Sequence, residues 1–330
     1  NEKRKYMRQP KMNEFDFIKT YLANAPKDKA VLLGIGDDAA VVRPNLGRDL
    51  CVSSDMLLSG RHFFADTAPQ DVAHKVLAVN LSDMAAMGAR PRWVLLSAAL
   101  PELDATWLRL FCDSFFALCA EYGVSLIGGD TTKGHSVFNV MIIGDVPQGL
   151  GLRRSGARVG DDVWVSGHIG SAAAALQHML GKAVLPEPAA EHCRRALLRP
   201  VPRVALGQAL LTLANAAQDI SDGLIQDLTH ILDASDVGAE IEENGLPVLP
   251  ALRECLPEAV RRQCMLAGGD DYELLFTASS ARRAEVEQAA RQCQTEVCRI
   301  GRITAQHGLR VRDAAGRPIH LARGGYDHFA

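Results

Sequence analysis

The first half of the chain alternates short apolar runs with longer stretches whose apolar residues recur every three or four positions. The short runs predict strands at residues 30–33, 92–100, 124–127 and 137–146. The longer stretches predict helices at residues 69–87 and 104–123, with Asp104 as a cap for the second. Residues 39–42 and 50–53 flank Pro44 and predict a hairpin. This alternation indicates an α/β domain.

The pattern changes near residues 147–160, which are rich in Gly, Arg and turn residues, and we place a domain junction there. Beyond it, strands are predicted at residues 162–166, 237–241, 272–277 and 297–300, and helices at residues 171–180, 203–216 and 224–232. We therefore expect an N-terminal domain at 12–150 and an α+β C-terminal domain at 151–330. Residues 1–11 are polar and basic, and we interpret them as a tail or an expression remnant before a natural start at Met12.

The composition is that of an ordinary globular chain, with 48% hydrophobic and 23% charged residues. Lys and Arg total 36 against 39 Asp and Glu, so the net charge of −3 supplies no general attraction to nucleic acid or to an anionic membrane. Apolar runs fall far short of the roughly 18 residues of a membrane span, and no secretory signal is recognisable. Eight scattered cysteines without a C-x-x-C pair favour reduced thiols in a cytoplasmic protein over disulfides.

Acidic residues recur just after apolar strands and beside Gly or Ser. They are Asp37 and Asp38, Asp55, Asp130, and Asp219 and Asp222. In an α/β sheet such strand ends converge where ligands bind. Two carboxylates about 4 Å apart repel by roughly 4 kcal/mol at an effective dielectric constant near 20, so a cation is expected among them. Oxygen ligands without His or Cys match Mg²⁺, although any one of these residues could be an ordinary turn or cap.

Several polar residues near these acids have two interpretations. Asn80 and Asp83 lie three apart on one face of an apolar helix, which fits a hydrogen-bonded core feature or metal ligation equally well. Lys133 and the pair Arg153 and Arg154 could reach a phosphate, or could be solvated surface residues. Arg154 at the domain junction is a candidate phosphate clamp.

Residues 34–39 match the dinucleotide fingerprint G-x-G-x-x-A, and Asp55 lies about 20 residues further on. That motif needs a helix immediately afterwards, whose N-terminus binds the pyrophosphate. Here β-branched residues and Pro44 follow, and Asp37 and Asp38 would repel a phosphate, so we reject the motif. A Walker A sequence is also absent from the chain, which excludes nucleotide binding by a P-loop.

Six segments resemble, in order, the signatures of the bacterial thiamine-monophosphate kinase family. They are residues 34–39, 53–55, 79–89, 127–132, 220–224 and 268–274, within a similarity that runs from about Met12 to Phe329. The superfamily includes aminoimidazole ribonucleotide synthetase and selenophosphate synthetase. The resemblance implies their two-domain fold: an α/β N-terminal domain whose β-sheet forms a homodimer, an α+β C-terminal domain, and an active site in the cleft between them.

The resemblance also implies the transfer of the γ-phosphoryl group of ATP to thiamine monophosphate, giving ADP and thiamine diphosphate. Transfer would be direct and in line, without a phosphoenzyme and so without a covalent nucleophile, and several Mg²⁺ ions would assist. The implied Mg²⁺ ligands are Asp38, Ser53, Ser54, Asp55, Asp83, Asp130, Asp219 and Asp222. The implied contacts to ATP, the co-substrate, are Gly129, Asp130, Arg154 and Ser221. The implied substrate-binding residues are His62, Asp270 and Tyr326.

This chain departs from the family pattern at two of these positions. Ser54 stands where the family often has Thr, which preserves the hydroxyl group. Asp270 stands where Glu is expected, so its carboxylate is about one methylene short of the usual reach.

Two other functions remain open. The chain could be another ATP-using member of the superfamily, acting on a ribonucleotide amide or a small inorganic acceptor. A selenophosphate synthetase normally has a reactive Cys near its N-terminus, and the first cysteine here is Cys51. It could also be a non-catalytic nucleotide-binding regulator, which loss of metal-site acids would favour, yet none of those acids is missing.

Overall fold

The structure is a computed structural model that describes residues 14–22, 28–319 and 325. The predicted tail, Met12 and Tyr326 lie outside these residues. The chain divides into two compact units. The first unit consists of the described parts of Asn1–Asn45, Ser54–Leu77 and Arg92–Ile143, and the second of those of Leu46–Ser53, Ala78–Pro91 and Gly144–Ala330.

Strands and helices alternate in the first half, as the sequence predicts. The strands are β1 Val31–Leu33, β2 Val41–Val42, β3 Arg48–Leu58, β4 Arg90–Leu100, β5 Ser125–Lys133 and β6 Val137–Pro147. The helices are α1 Glu14–Phe17, which continues as a π-helical turn Ile18–Leu22, α2 Pro69–Ala86 and α3 Ala105–Tyr122. Within the described residues, β3, β6, β4 and β5 form a four-stranded sheet in that order, in which β4 and β5 are parallel.

The predicted hairpin around Pro44 is wrong. β2 pairs with β1, with Val42 opposite Val31 and Val41 opposite Leu33, whereas β3 joins the four-stranded sheet beside β6. The turn residues around Pro44 indicate a reversal, but they do not specify which strands pair. The rejection of the dinucleotide motif is confirmed, because the element that follows residues 34–39 is the strand β2 and not a helix.

Helix α3 shows how local signals and packing agree in the first unit. The Asp104 side chain accepts a hydrogen bond from the Trp107 backbone N–H at 2.6 Å, and Gly123 ends the helix in the left-handed region at φ 65°. Its aromatic residues stack on β6, with ring centroids 5.0 Å apart for Phe111 and Phe138. The helical period of the sequence therefore marks a genuine core face.

The second half mixes helices with a mostly antiparallel sheet. Its strands are β7 Asp161–Ser166, β8 Ala214–Asp219, β9 Gly238–Glu242, β10 Leu274–Ser279, β11 Val297–Thr304 and β12 Gly308–Arg312. Its helices are α4 Ser171–Met179, α5 Ala189–Leu198, α6 Val204–Ala209, α7 Leu224–Ser235, α8 Pro250–Cys255, α9 Glu258–Ala267 and α10 Arg283–Gln292, with 3₁₀ turns at Glu243–Gly245 and Ser280–Arg282. The sheet order in the described chain is β12-β9-β11-β7-β10-β8, and β12 pairs in parallel with β9. The core includes Val163, Val165, Ile231 and Leu275.

The helix predicted over residues 203–216 is wrong in its second half. Helix α6 ends at Ala209, and Ala214–Asp219 forms β8, which pairs with β10. Alanine favours a helix locally, but here a ladder with a distant strand buries Ala216 and Ala217. The sequence analysis also missed helices α5, α8, α9 and α10. No helix of the described chain combines the length and apolar character that a membrane span requires.

Candidate active site

One serine hydroxyl orients a carboxylate at the end of α2. In the second unit, Ser53 Oγ donates a hydrogen bond to Asp83 Oδ2 at 2.5 Å. Burial raises the pKa of Asp83, while the hydrogen bond from Ser53 and the positive charge of Arg154 act in the opposite direction. The structure therefore brings together three predicted site residues: Ser53, Asp83 and Arg154.

A second serine–carboxylate pair begins at the preceding residue of α2. Buried Ser82 donates its hydroxyl proton to Asp219 Oδ2 at 2.6 Å, and Asp219 ends β8 with 8% of its surface exposed. Helix α6 packs tightly here, because a Cβ at Gly207 would overlap the Ala85 carbonyl oxygen. The two consecutive residues Ser82 and Asp83 thus contribute to two oriented carboxylate groups.

The turn at residues 221–223 is held by a carboxylate that the sequence analysis missed. Asp227 Oδ2 accepts the backbone N–H groups of Ser221, Asp222 and Gly223 at 3.0, 3.0 and 3.1 Å. Asp227 is almost fully buried, and its Oδ1 accepts a bond from Gln218 Nε2 at 2.6 Å. Burial raises the pKa of Asp227 to about 6, against the effect of these backbone bonds.

Asp227 accepts all three backbone N–H groups of this turn, so they are already hydrogen-bonded before a ligand arrives. The side chains of Ser221 and Asp222 are then the groups of the turn that can contact a ligand. The sequence signal for Asp227 is an acidic residue in the first turn of α7, where a helix N-terminus favours negative charge. That signal is common in helices and does not reveal a contact with three successive amides.

Asp270 lies in a loop with unusual backbone geometry that packs on the same turn. Asp270 and Tyr272 have positive φ angles of 68° and 50°. Their N–H groups donate to the carbonyl oxygens of Ser221 and Ile220 at 2.9 and 2.8 Å. A Cβ at Gly269 would overlap the Ser221 carbonyl oxygen, so only glycine fits there. The structure thereby places Asp270 beside Ser221, and the Tyr272 hydroxyl donates to Asp270 Oδ1 at 3.1 Å.

Buried ionic contacts hold both ends of this loop, and the sequence analysis missed them as well. Asp271 accepts the Gly170 N–H at 3.0 and 2.9 Å. Arg203 binds both oxygens of Glu273, at 2.7 and 2.5 Å, and Ser166 Oγ donates to Glu273 as well. Such bidentate contacts fix geometry more firmly than a single bond. The strained conformation of the loop is therefore supported from neighbouring elements.

The predicted acids of the first unit are more exposed. Asp38 and Asp130 are both exposed, and Asp130 lies in β5 opposite Ser97 of β4. Gly129 has a φ of 152°, and a Cβ there would overlap the Leu96 carbonyl oxygen. Glycine therefore allows a close strand contact and leaves the Asp130 carboxylate at the surface.

Strand alternation separates the residues 53–55. Ser53 and Asp55 are partly buried, whereas Ser54 between them is exposed. Ser54 Oγ accepts a bond from Asn139 Nδ2 at 2.9 Å. Its side chain therefore points to the opposite face of β3 from those of Ser53 and Asp55.

His62 lies just after β3 in a tight turn and is half-buried. Its Nδ1 accepts the backbone N–H of Leu58 at 3.0 Å. The structure thus orients the ring of this predicted substrate-binding residue through the backbone.

Among residues 14–22, 28–319 and 325, no three His, Cys, Asp or Glu side chains lie close enough together to hold a metal ion on their own. Mg²⁺ usually binds through one or two carboxylates together with substrate phosphates and water. The oriented oxygens of Asp83 and Asp219 fit that donor set. The assignment of the individual metal, ATP and substrate residues stays a prediction.

Comparisons with known proteins cover nearly the whole chain. Residues 36–146 match the family described as AIR synthase related protein, N-terminal domain, and residues 158–314 match its C-terminal domain. The predicted two-domain fold is therefore confirmed.

Several individual relatives are thiamine-monophosphate kinases. The thiamine-monophosphate kinase of Escherichia coli O157:H7 is 44% identical over 322 residues, which cover 96% of this chain and 98% of that protein. The crystal structure of thiamine-monophosphate kinase from Stenotrophomonas maltophilia K279a is 45% identical, with a TM-score of 0.82 over 90% of this chain and 94% of that one. AaThiL complexed with AMPPCP and TMP is 31% identical, with a TM-score of 0.74 over 96% of both chains. The predicted resemblance is thus confirmed, and the chain belongs to the thiamine-monophosphate kinase family.

Proposed function

We propose that this chain transfers the γ-phosphoryl group of ATP to thiamine monophosphate, forming thiamine diphosphate and ADP with the help of Mg²⁺. Family membership over the full chain supports the reaction class, and the relative AaThiL forms a complex with AMPPCP and TMP. The observation that carries the proposal is the presence of two serine-bonded carboxylates, Asp83 and Asp219, whose hydrogen bonds involve the consecutive α2 residues Ser82 and Asp83.

The proposed Mg²⁺ ligands are drawn from Asp38, Ser53, Ser54, Asp55, Asp83, Asp130, Asp219 and Asp222. When bound, Mg²⁺ would neutralise the phosphates of donor and acceptor, which otherwise repel each other. Ser53 donates a hydrogen bond to Oδ2 of Asp83, and Ser82 donates one to Oδ2 of Asp219. These two bonds fix the orientation of both carboxylates. The hydroxyl of Ser54 faces away from Ser53, so its proposed contribution is through the backbone.

Gly129, Asp130, Arg154 and Ser221 form the proposed ATP contacts. Arg154 supplies a positive charge beside Asp83, and its exposed guanidinium can form two bonds with a phosphate. Ser221 presents its side chain from a turn whose backbone is fixed by Asp227. Gly129 allows the close contact of β5 with β4, next to the position from which Asp130 extends.

We propose direct in-line transfer without a covalent intermediate. A phosphate acceptor is already an anion at neutral pH, so the protein needs to position the reactants and balance charge, and does not need a nucleophile of its own. His62 and Asp270 are the proposed substrate contacts among the described residues, and Tyr326 remains a sequence-based proposal. Asp270 accepts a bond from the Tyr272 hydroxyl, and its negative carboxylate is the proposed contact to the cationic thiazolium or the aminopyrimidine.

A homodimer formed through β3 is part of the proposal. β3 is an edge strand of the sheet in the described chain, and its outward row exposes Leu50, Val52, Met56 and Leu58 by 36% to 61%. Such an apolar edge favours pairing with a second copy. We expect Val52→Lys to convert a dimer to monomer in analytical ultracentrifugation, while Val184→Lys, at an exposed valine of the second unit, leaves the mass unchanged. A wild-type monomer at micromolar concentration would contradict the dimer.

A turnover assay with a panel of acceptors tests the proposed function against its alternatives. We expect thiamine diphosphate from thiamine monophosphate and ATP, and no ADP with a ribonucleotide amide or with a small inorganic acceptor. Burial raises the pKa of the Cys51 thiol, and Asp145 and Asp49 raise it further, so Cys51 is a poor nucleophile for selenium chemistry. Nucleotide binding without any turnover would instead indicate a regulator. The cytoplasmic location stays a prediction.

A further inference from the structure

Helix α2 carries a buried lysine that the proposed reaction does not use. Lys75 is 2% exposed and lies between the buried residues Ala73 and Leu77 of the same helix. Lysine is almost never this deeply buried unless its ammonium group is paired, because the charge loses its hydration. One of its interactions links α2 to a neighbouring turn.

The ammonium group of Lys75 contacts the backbone of the turn that carries His62. Lys75 Nζ donates a hydrogen bond to the His62 carbonyl oxygen at 3.0 Å. The next residue, buried Phe63, packs on Phe138, with ring centroids 6.2 Å apart. The turn is thus attached to helix α2 by a hydrogen bond at His62 and to strand β6 by a ring contact at Phe63.

The same turn determines which nitrogen of His62 carries the proton. The N–H group of Leu58 points at His62 Nδ1, which must accept because a backbone amide can only donate. In the neutral ring the proton then lies on Nε2. The N–H groups of Arg61 and His62 both donate to the Leu58 carbonyl oxygen, at 3.2 and 2.9 Å, and close the turn around the ring.

We propose that Lys75 is a positioning residue that fixes the His62 peptide, so that the imidazole is held in the orientation in which it meets thiamine monophosphate. The bond from Nζ orients the peptide plane of His62, and this orientation in turn sets the direction of its side chain. The inference rests on the proposed function, because it requires His62 to contact that substrate.

Steady-state kinetics of the full chain separate this role from general packing. Lys75→Met keeps most of the side-chain volume but removes the donor. We expect the KM for thiamine monophosphate to rise about tenfold, as for the loss of one well-made hydrogen bond, and the KM for ATP to stay within a factor of about two. Leu77→Ala is the matched control: it opens a cavity in the same helix and should lower the melting temperature without changing either KM.

A double-mutant cycle tests whether Lys75 acts through His62. In a His62→Ala background, Lys75→Met should have no further effect on the KM for thiamine monophosphate. An equal effect of Lys75→Met in both backgrounds would overturn the proposal.

The imidazole nitrogens give a readout that does not depend on activity. In ¹⁵N-detected NMR spectra, free wild-type protein should show His62 with its proton on Nε2, and Lys75→Met should shift both nitrogens toward the average of the two tautomers. A wild-type proton on Nδ1 would refute the role of Lys75, and so would an unchanged His62 spectrum in a folded Lys75→Met variant. The wild-type measurement remains a valid test even if the variant does not fold. If the tautomer responds to Lys75→Met but His62→Ala leaves the KM for thiamine monophosphate unchanged, the positioning contact stands and the proposed substrate site fails.

Discussion

Two acidic turns of this chain, residues 36–38 in the first unit and residues 221–223 in the second, are held in different ways. In the 221–223 turn, three consecutive N–H groups bind the buried carboxylate of Asp227. In the 36–38 turn all three residues are exposed, and the Asp38 N–H donates at 3.3 Å to the side chain of its neighbour Asp37. No buried carboxylate accepts the N–H groups of the 36–38 turn within the part of the chain that the structure describes.

Two turns with similar sequence patterns can therefore differ in how firmly their geometry is fixed before a ligand binds. The 221–223 turn has its geometry before a ligand binds, because moving it would leave buried polar groups without partners. The carboxylates of the 36–38 turn are exposed to water, so we expect metal and nucleotide to order them if they bind there.

The largest expected effect concerns activity. Asp222→Asn and Asp38→Asn should each lower kcat about 100-fold or more at saturating Mg²⁺, because each removes a carboxylate proposed to hold the Mg²⁺ that balances the charge of the transferring phosphate. Asp233→Asn, at an exposed position of α7, should keep kcat within a factor of about two. Turnover is measured as thiamine diphosphate formed. If Asp38→Asn keeps near-normal activity while Asp222→Asn does not, the 36–38 turn is not part of the active site.

A smaller effect concerns stability and separates the two turns. Asp227→Ala leaves three N–H groups, one buried and two partly buried, without their acceptor and should lower the free energy of unfolding by about 2 kcal/mol or more. Asp38→Ala should change it by less than about 0.5 kcal/mol, as is usual for an exposed site. Denaturant unfolding of the ligand-free protein measures both, and equal losses for the two variants would contradict the distinction.

The smallest expected effect is in hydrogen exchange. The amides of residues 221–223 should exchange slowly in the free protein and change little on addition of ATP and Mg²⁺. The amides of residues 37 and 38 should exchange rapidly when free and become about tenfold slower with these ligands. Slow exchange at both turns before any ligand is added would show that the 36–38 turn is also organised in advance.

The sequence predicted the features that depend on neighbouring residues. Asp104, Gly123 and the helical period between them predict α3, because caps and periodicity act within a few residues. The order of six segments predicts the family, which is confirmed, whereas the ligand site inferred from the recurrence of acids after strands stays a prediction. Both expectations need no knowledge of which strands pair.

The features that the sequence did not reveal depend on distant partners. β2 pairs with β1, and Ala214–Asp219 is a strand because β10 lies beside it. The contact of Lys75 with His62 depends on where helix α2 crosses the turn after β3. In the sequence, Asp227 resembles any acid in the first turn of a helix. Only the folded chain shows that it accepts the N–H groups of residues 221–223.

Isotope transfer tests the central claim most directly. The wild-type chain is incubated with Mg²⁺, thiamine monophosphate and ATP labelled at the γ-phosphate, and the products are separated. The account predicts label in thiamine diphosphate, formed in equal amount with ADP, no label on the protein, and no product when Mg²⁺ is removed by a chelator. Label retained on the protein, or ADP formed without thiamine diphosphate, would contradict direct transfer between the two bound phosphates.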